Sequence, residues 1–446
     1  MTPSSPISFR EAFLFWLKLG FISFGGPAGQ ISIMHQELVE RRRWISEGRF
    51  LHALNYCMVL PGPEAQQLAT YIGWLMHRTW GGILAGALFV LPSLFILIGL
   101  SWIYVAYGDV PVVAGLFYGI KPAVTAIVVQ AAHRIGGRAL KNRVLWAVAA
   151  AAFVAIFVFN VPFPAIVAAA ALMGYVGGRV SPKYFQIGGG HGKADISYGP
   201  ALIDDDTPTP DHARFSWLSL ARVVVVGGLL WLVPMVLLTS SFGWSHTLTQ
   251  MGWFFTKAAL LTFGGAYAVL PYVYQGAVTG YGWLTPTQMI DGLALGETTP
   301  GPLIMVVAFV GFVGGYMSPA LHAVFGEHLF LAGALAATLV TWFTFLPSFL
   351  FILAGGPLVE STHKNLKFTA SLTAITAAVV GVILNLALFF GYHVLWPQGF
   401  AGRFDVTSAV IALLAAIALF RFKRGVMEVI GGCALVGLVV KLAGTV

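Results

Sequence analysis

The sequence predicts an all-α integral membrane protein made of two inverted-topology repeats, and composition, hydropathy and an internal repeat predict it. Of its 446 residues, 58% are hydrophobic and only 9% are charged, and the mean hydropathy is +0.83. Water-soluble domains carry about 25% charged residues, because their surface must be solvated. So few charges do not cover a soluble surface, so the solvent of this chain is expected to be lipid.

Apolar stretches divide the chain into thirteen segments that are expected to be embedded in the membrane. A helix needs about 20 apolar residues to cross the hydrocarbon core of a bilayer. The segments lie at 9–34, 50–76, 81–106, 111–132, 144–160, 161–180, 217–239, 248–275, 288–316, 328–354, 369–391, 407–420 and 427–445. Little of the chain remains outside them.

The net charge of +8 does not indicate a nucleic-acid partner. The basic residues lie in short loops between apolar stretches, as they do in cytoplasmic loops of membrane proteins. Cys57 and Cys433 lack the CxxC or Cys/His spacing of a metal site. The sequence contains no phosphate loop, catalytic triad or haem-attachment motif. We therefore expect a transport protein in a lipid bilayer, without a cofactor or metal, and not an enzyme.

An internal repeat is the most informative feature of the sequence. The matched motifs are Lys18 with Lys257, Ser23-Phe24-Gly25-Gly26 with Thr262-Phe263-Gly264-Gly265, Gln36 with Gln275, Trp44 with Trp283, Leu54 with Leu293, and Pro61-Gly62-Pro63 with Pro300-Gly301-Pro302. All of these pairs share an offset of 239 residues. At another offset, Leu91-Pro92-Ser93 matches Leu346-Pro347-Ser348. Charged, aromatic and Gly/Pro residues kept in register indicate a duplication.

The repeat divides the chain into four parts. These are the first repeat at 1–180, a cytoplasmic linker at 181–216, a connecting transmembrane helix at 217–239 and the second repeat at 240–446. The linker is polar, contains Gly188-Gly189-Gly190, and is expected to be exposed. Six segments precede the connecting helix and six follow it. One unpaired crossing turns the second unit over, as in many secondary transporters.

Two topologies stay open for the segments 9–34 and 50–76. A cytoplasmic N-terminus places most basic loops inside, but thirteen full spans put Arg41-Arg42-Arg43 and Arg49 outside, against the positive-inside rule. If both segments are re-entrant hairpins, these arginines become cytoplasmic. Each half-helix is then about 10–15 residues long, too short to cross. Full but kinked spans are the alternative.

The Gly-Gly-Pro and Pro-Gly-Pro motifs are expected to break helices at membrane depth. Proline suits the first turn of a helix, where its missing N–H is not needed. A helix start there offers free N–H groups and the positive end of the helix dipole to an anion. The alternative is that the glycines only permit close helix packing.

Four such breaks, two per repeat, are expected to converge as an anion site near the midplane. The predicted substrate-binding residues are Lys18, Ser23, Phe24, Gly25, Gly26, Pro27, Pro61, Gly62, Pro63, Lys257, Thr262, Phe263, Gly264, Gly265, Pro300, Gly301 and Pro302.

Charged residues near the breaks each have two interpretations. Lys18 and Lys257 either compensate the charge of a bound dianion or snorkel toward the membrane surface. Glu64 and Glu297 either move a coupling proton, because buried carboxyls can titrate near neutral pH, or cap and pack helices. Lys121 either lines a cavity or marks a helix end.

At these motifs the sequence resembles the chromate transporter (CHR) family, long-chain two-domain type. Phe24-Gly25-Gly26-Pro27, the Trp44 region and Pro61-Gly62-Pro63-Glu64 look like the first family domain, and Phe263-Gly264-Gly265 with Glu297-Thr298-Thr299-Pro300-Gly301-Pro302 look like the second. The resemblance implies export of chromate across the inner membrane of a bacterium, which confers resistance. Isosteric sulfate is then the competitor or alternative cargo. Ala266 replaces the expected proline, so the two helix starts are expected to differ.

The membrane potential favours export of a dianion. Moving two elementary charges out of an inside-negative cell gains about 4.6 kcal/mol per 100 mV. Export therefore needs no second ion, although antiport with protons would strengthen it. A transporter for sulfate or another oxyanion and an anion channel are the alternatives. The oligomeric state, including a homodimer, stays open.

Overall fold

A computed structural model describes residues 7–24, 26–185, 198–208, 210–263, 265–361 and 369–444. Within these ranges the regular elements are helical, as predicted for the fold class. The helices are α1 (Phe9–Ile22), α2 (Gly26–His35), α3 (Glu47–Val59), α4 (Glu64–Tyr107), α5 (Pro111–Ala139), α6 (Arg143–Phe157), α7 (Phe163–Val180), α8 (Pro182–Phe185), α9 (Trp217–Phe242), α10 (Thr247–Leu260), α11 (Ala266–Tyr274), α12 (Pro286–Thr298), α13 (Val306–Tyr316), α14 (Pro319–Phe325), α15 (Leu329–Ser361), α16 (Thr369–Leu395), α17 (Val406–Phe420) and α18 (Val426–Leu442).

Six of the described helices, α4, α5, α7, α9, α15 and α16, are long and apolar enough to cross a bilayer. A bent pair, Leu303–Tyr316 with Pro319–Phe325, gives a seventh span if its two arms, 71° apart, count as one. The protein is therefore a multi-pass membrane protein. The thirteen predicted segments are not thirteen continuous helices, because Gly and Pro motifs divide 9–34, 50–76, 248–275 and 288–316 into shorter ones.

Large apolar side chains cover the outer surface of the helices. Phe95 of α4 is 68% exposed, and Leu413 of α17 is 61% exposed. The connecting helix α9 buries few of its residues, and Trp217 at its start is 77% exposed. Soluble proteins rarely expose large apolar patches, so these faces are suited to contact with lipid.

The secondary structure repeats at the same offset as the sequence motifs. A π-helical turn at Gln36–Arg41 recurs at Gln275–Gly280, and α3 recurs as α12, with both ends shifted by 239 residues. The helix starts after the two Gly pairs also agree within one residue, at Gly26 and Ala266. Replacement of proline by Ala266 therefore does not move the start of α11 appreciably. The inverted arrangement of the two units stays a prediction.

Helix α4 turns back on itself near its first third. His77 and Arg78 leave the helical region, with φ of −134° and 56°. Beyond this bend the two arms touch, because a Cβ atom added to Gly81 would lie 2.3 Å from the carbonyl oxygen of Gly73. The first arm, residues 64–76, is about 20 Å long at 1.5 Å per residue, which is short of the bilayer core. This length agrees with the re-entrant alternative, which stays a prediction.

Each Pro-Gly-Pro motif is hydrogen-bonded to the Gly-Gly break of the other half. The backbone N–H of Gly62 donates to the carbonyl of Thr262 (2.7 Å), and the N–H of Gly301 donates to the carbonyl of Ser23 (2.8 Å). Backbone groups at membrane depth need such partners, because lipid offers none. The reciprocal bonds tie the breaks of the two halves together.

Only glycine fits the centre of each Pro-Gly-Pro motif. Gly62 has a φ of 130° and Gly301 a φ of 103°, in the region that side chains disfavour. A Cβ atom at Gly62 would lie 2.4 Å from Ser348 Oγ, and one at Gly301 would lie 2.8 Å from Ser93 Cβ. Ser93 and Ser348 end the two Leu-Pro-Ser motifs. Each Leu-Pro-Ser motif therefore lies against the Pro-Gly-Pro motif of the other half.

The described part of the linker packs against the first half. The N–H of Ser46 donates to the carbonyl of Ile203 (2.9 Å), and Arg49 donates to the carbonyl of Asp204 (3.1 Å). Ile203 is only 8% exposed. Backbone bonds and this apolar side chain hold this part in place, while neighbouring linker residues such as Tyr198 and Asp205 are exposed. Gly188-Gly189-Gly190 lies outside the described residues.

Gly62→Ala or Gly301→Ala is expected to lower the thermal stability of the detergent-solubilised protein. A side chain held in this φ region costs about 1–3 kcal/mol, and the close contacts add to it. Gly99→Ala is the matched control, because Gly99 is helical and no atom lies within 4 Å of an added Cβ. Melting followed by fluorescence-detected gel filtration tests this, and an unchanged melting temperature for Gly62→Ala would contradict it.

Candidate anion site

A cavity of about 260 Å³ lies where three of the broken helices begin. Its walls come from the starts of α2, α4 and α11 and from one face each of α2, α3 and α5. The lining residues are Pro27, Ala28, Ile31, Leu54, Met58, Glu64, Arg134, Ile135, Arg138, Gly265, Ala266 and Tyr267. The site thus combines elements of both halves of the chain.

Local sequence determines where these three helices begin. Gly26 at the start of α2 and Gly265 before α11 have φ values of 70° and 96°, and Pro63 precedes α4 in an extended conformation. The first N–H groups of a helix have no acceptor within the helix and lie at the positive end of its dipole. Three such starts around one cavity make it favourable for an anion.

Two arginines of α5 add full positive charges to the cavity. Arg134 and Arg138 lie four residues apart, so they share one face of the helix. Both are exposed, and neither forms an ion pair within the described part of the chain. The guanidinium group presents a fork of N–H donors that matches the oxygen atoms of an oxyanion. These two residues therefore have free donors to offer a ligand.

In the sequence, Arg134 and Arg138 follow the apolar segment 111–132, so they belong to the short basic loops that were interpreted only as signals of membrane orientation. The usable signal was their spacing of about one helical turn directly after that segment, because this spacing places both residues on one face if the helix continues past residue 132.

Two carboxylates adjoin the cavity. Glu64 lines it directly, and Glu297, which is 7% exposed, accepts a hydrogen bond from the hydroxyl of Tyr267 on the cavity wall. The charge of Arg138 acts on Glu64, and that of Arg134 acts on Glu297. Each predicted coupling carboxylate is therefore opposed by one arginine.

The predicted breaks contribute unequally to the cavity. Pro27 and Gly265 line it, and Pro63 stands directly before Glu64. Pro300-Gly301-Pro302 is not part of the wall and instead packs on the Ser23 carbonyl. Three of the four predicted breaks thus surround the cavity. The central glycines Gly25 and Gly264 lie outside the described residues.

The two predicted hydroxyl donors are not on the cavity wall. Ser23 is fully buried. The hydroxyl of Thr262 donates to the carbonyl of Ala258 in its own helix (2.7 Å). Anion binding by these hydroxyls stays a prediction.

Lys18 and Lys257 also lie away from this cavity. Both precede the breaks by two turns, on α1 and α10, whereas α2 and α11 form the cavity after the breaks. Lys18 is exposed, and Lys257 lies 5.7 Å from the ring of Trp253. Their role as compensating charges stays a prediction, and Arg134 is a cation that does line the cavity.

Broken helices that begin around a cationic cavity, inside a multi-pass helical fold, define a membrane transport protein. Residues 10–175 and 249–438 match the chromate transporter family model. The chain belongs to the chromate transporter family. The unmatched residues between these two regions include the described linker and α9.

Three relatives illustrate this similarity. The chain is 29% identical to a chromate transport protein of Cupriavidus metallidurans, over 96% of this chain and 92% of that protein. It is 34% identical to a chromate transport protein of Pseudomonas aeruginosa, over 85% and 80%. It is 27% identical to a probable chromate transport protein of Synechococcus elongatus, over 94% and 92%. No solved structure matched the chain.

A cysteine placed at Ala28, in a background without Cys57 and Cys433, is expected to react with a negatively charged thiol reagent. It should react several times faster than with a neutral reagent of equal size, because the cavity attracts anions. Ala53→Cys is the control, since Ala53 is fully buried and does not line the cavity. Equal rates for both reagents, measured by mass spectrometry, would argue against a cationic cavity.

Proposed function

We propose that this protein transports chromate, a tetrahedral oxyanion, through the cavity formed by the starts of α2, α4 and α11. One observation carries the proposal: three helix starts and two arginines line the same cavity. The relatives named as chromate transport proteins share most of the chain with it. Their similarity extends over both halves that supply the cavity wall.

The size of the cavity suits a small ion. Its volume of about 260 Å³ lies below the roughly 300–1,000 Å³ of pockets for drug-sized ligands. A water molecule takes about 30 Å³, so a tetrahedral oxyanion and several waters fit together. The anion then exchanges part of its hydration shell for backbone N–H groups and the guanidinium groups of Arg134 and Arg138.

The carboxylates substitute for the anion when the cavity is empty. Glu64 and Glu297 oppose Arg138 and Arg134, so they balance these charges in the absence of a ligand. A bound dianion takes over this balance by direct contact with the arginines, which form no ion pair with either carboxylate in the described structure. With these charges balanced, the empty cavity carries little net charge. The return of the unloaded protein to the state that binds the next anion therefore costs little electrostatic free energy in the membrane field. A displaced carboxylate is also the point at which a coupling proton enters the cycle.

The cavity opens toward the cytoplasm in this proposal, and transport is export across the inner membrane of a bacterium. Arg134 and Arg138 lie at the end of α5, where Lys141 and Arg143 continue a basic loop. Basic loops stay on the cytoplasmic side, which also places the N-terminus there. Export of a dianion then runs down the membrane potential. Sulfate has the same shape and charge, so it is expected to compete.

Arg134→Ala and Arg138→Ala are each expected to weaken chromate binding by about tenfold to a hundredfold. Each removes a charge-assisted hydrogen bond, which contributes about 1.5–3 kcal/mol. Arg143→Ala is the matched control, because Arg143 is an exposed arginine of the next helix that does not line the cavity. Equilibrium dialysis of the purified proteins with radiolabelled chromate measures the effect. Equal losses in all three variants would refute a specific role for the cavity arginines.

Radiolabelled chromate is expected to accumulate in inside-out membrane vesicles, faster when the lumen is positive. The dianion gains about 4.6 kcal/mol per 100 mV in this direction. Uptake should saturate with chromate concentration and decrease with added sulfate. Uptake that never saturates would indicate an anion channel. Uptake independent of potential would show that electroneutral exchange replaces potential-driven export.

A further inference from the structure

A buried ion pair lies outside the cavity, between helices of the two halves. Asp291 of α12 is only 2% exposed, and one of its oxygen atoms, Oδ2, lies 3.4 Å from Nζ of Lys121 in α5. The hydroxyl of Tyr104 in α4 donates to the same oxygen (2.9 Å). The other oxygen, Oδ1, is buried and has no hydrogen-bond partner among the described residues.

Stability alone does not account for this pair. Removing two charges from water costs about as much as their attraction gains, so apolar residues often serve as well or better. Ionisable groups inside membrane segments are costly, and they commonly mark the route of an ion. Lys121 keeps 29% of its side chain exposed, whereas Asp291 is enclosed. Lys121 is therefore the more accessible member of the pair.

The pair extends the charge pattern of the cavity along the same two helices. Lys121 precedes Arg134 on α5, and Asp291 precedes Glu297 on α12. On both helices, the residue of the ion pair comes first in the sequence and the residue at the cavity comes later. At 1.5 Å per residue, Lys121 lies about 20 Å from Arg134 along α5. That distance is a large part of the roughly 30 Å hydrocarbon core.

Resting on the proposed transport of chromate, we propose that Lys121 is a second binding residue for the oxyanion, reached after Arg134 and Arg138. Asp291 holds the Lys121 ammonium group while no anion is present, and the arriving anion takes its place. Tyr104 still donates to Asp291 after Lys121 has left, so the carboxylate keeps one hydrogen bond. Lys121 thus becomes available to the anion only when the anion displaces Asp291.

Four variants of the full-length protein in proteoliposomes separate this role from a structural one. Lys121→Met removes the cation but leaves the buried Asp291 charge without it, so this variant alone can also disturb folding. Lys121→Met/Asp291→Asn removes both charges with little change in shape. Asp291→Asn keeps the lysine, and Lys121→Arg keeps the cation.

The double variant is expected to transport radiolabelled chromate at least about tenfold more slowly than the unmodified protein. Its equilibrium binding of chromate at the cavity should stay unchanged, because the residues of that cavity are intact. Asp291→Asn and Lys121→Arg should both retain transport, since each keeps a cation at this position. Retained binding together with slow transport means that the defect lies in a step of transport that follows binding at the cavity.

Two results would overturn the inference. Transport by the double variant at the unmodified rate would show that the anion does not need Lys121. Loss of transport in Asp291→Asn as complete as in the double variant would show that the pair is needed intact, as a structural contact is. Failure of the unmodified protein to bind chromate is a different result, which refutes the proposed function and this inference with it.

Discussion

Backbone hydrogen bonds between the two halves are the constraint on which the rest of the structure depends. A chain that leaves the helical conformation inside a bilayer exposes N–H and C=O groups, and lipid does not satisfy them. Gly62 and Gly301 solve this problem reciprocally, by donating to the carbonyls of Thr262 and Ser23. With those bonds in place, α2, α4 and α11 begin around one cavity. The anion binding that we propose is thus a consequence of how the breaks are stabilised.

The fold class and the positions of the breaks could be predicted because they depend on local sequence. Proline and glycine act on their own backbone, so Pro61-Gly62-Pro63 and its copy mark the ends of α3 and α12 without knowledge of the fold. The repeat offset likewise predicted matching elements in both halves. The number of continuous spans could not be read in the same way, because hydropathy does not distinguish one long helix from two short ones that meet at a break.

The cationic part of the candidate site depends on contacts between residues far apart in the sequence. Arg134 follows Pro27 by more than a hundred residues, and both line the cavity together with Gly265 of the other half. Their convergence is a property of packing, which one sequence does not encode in any local pattern. Lys18 and Lys257 were predicted to bind the anion because they are repeated. A repeated residue indicates that two segments are related, but it does not indicate that the residues meet in one site. An unrepeated charge such as Arg134 gave no such signal.

The unequal distribution of charge gives the duplicated halves different electrical properties. Helix α5 of the first half carries Lys121, Arg134 and Arg138, whereas α12 of the second carries Asp291 and Glu297. The long helix α16 of the second half, which packs against α5, has no Lys or Arg in its sequence. The two halves thus present charges of opposite sign where α5 meets α12, as in the pair of Lys121 with Asp291. In the transport that we propose, an arriving dianion competes with these carboxylates for the cations and thereby weakens the attraction between the halves.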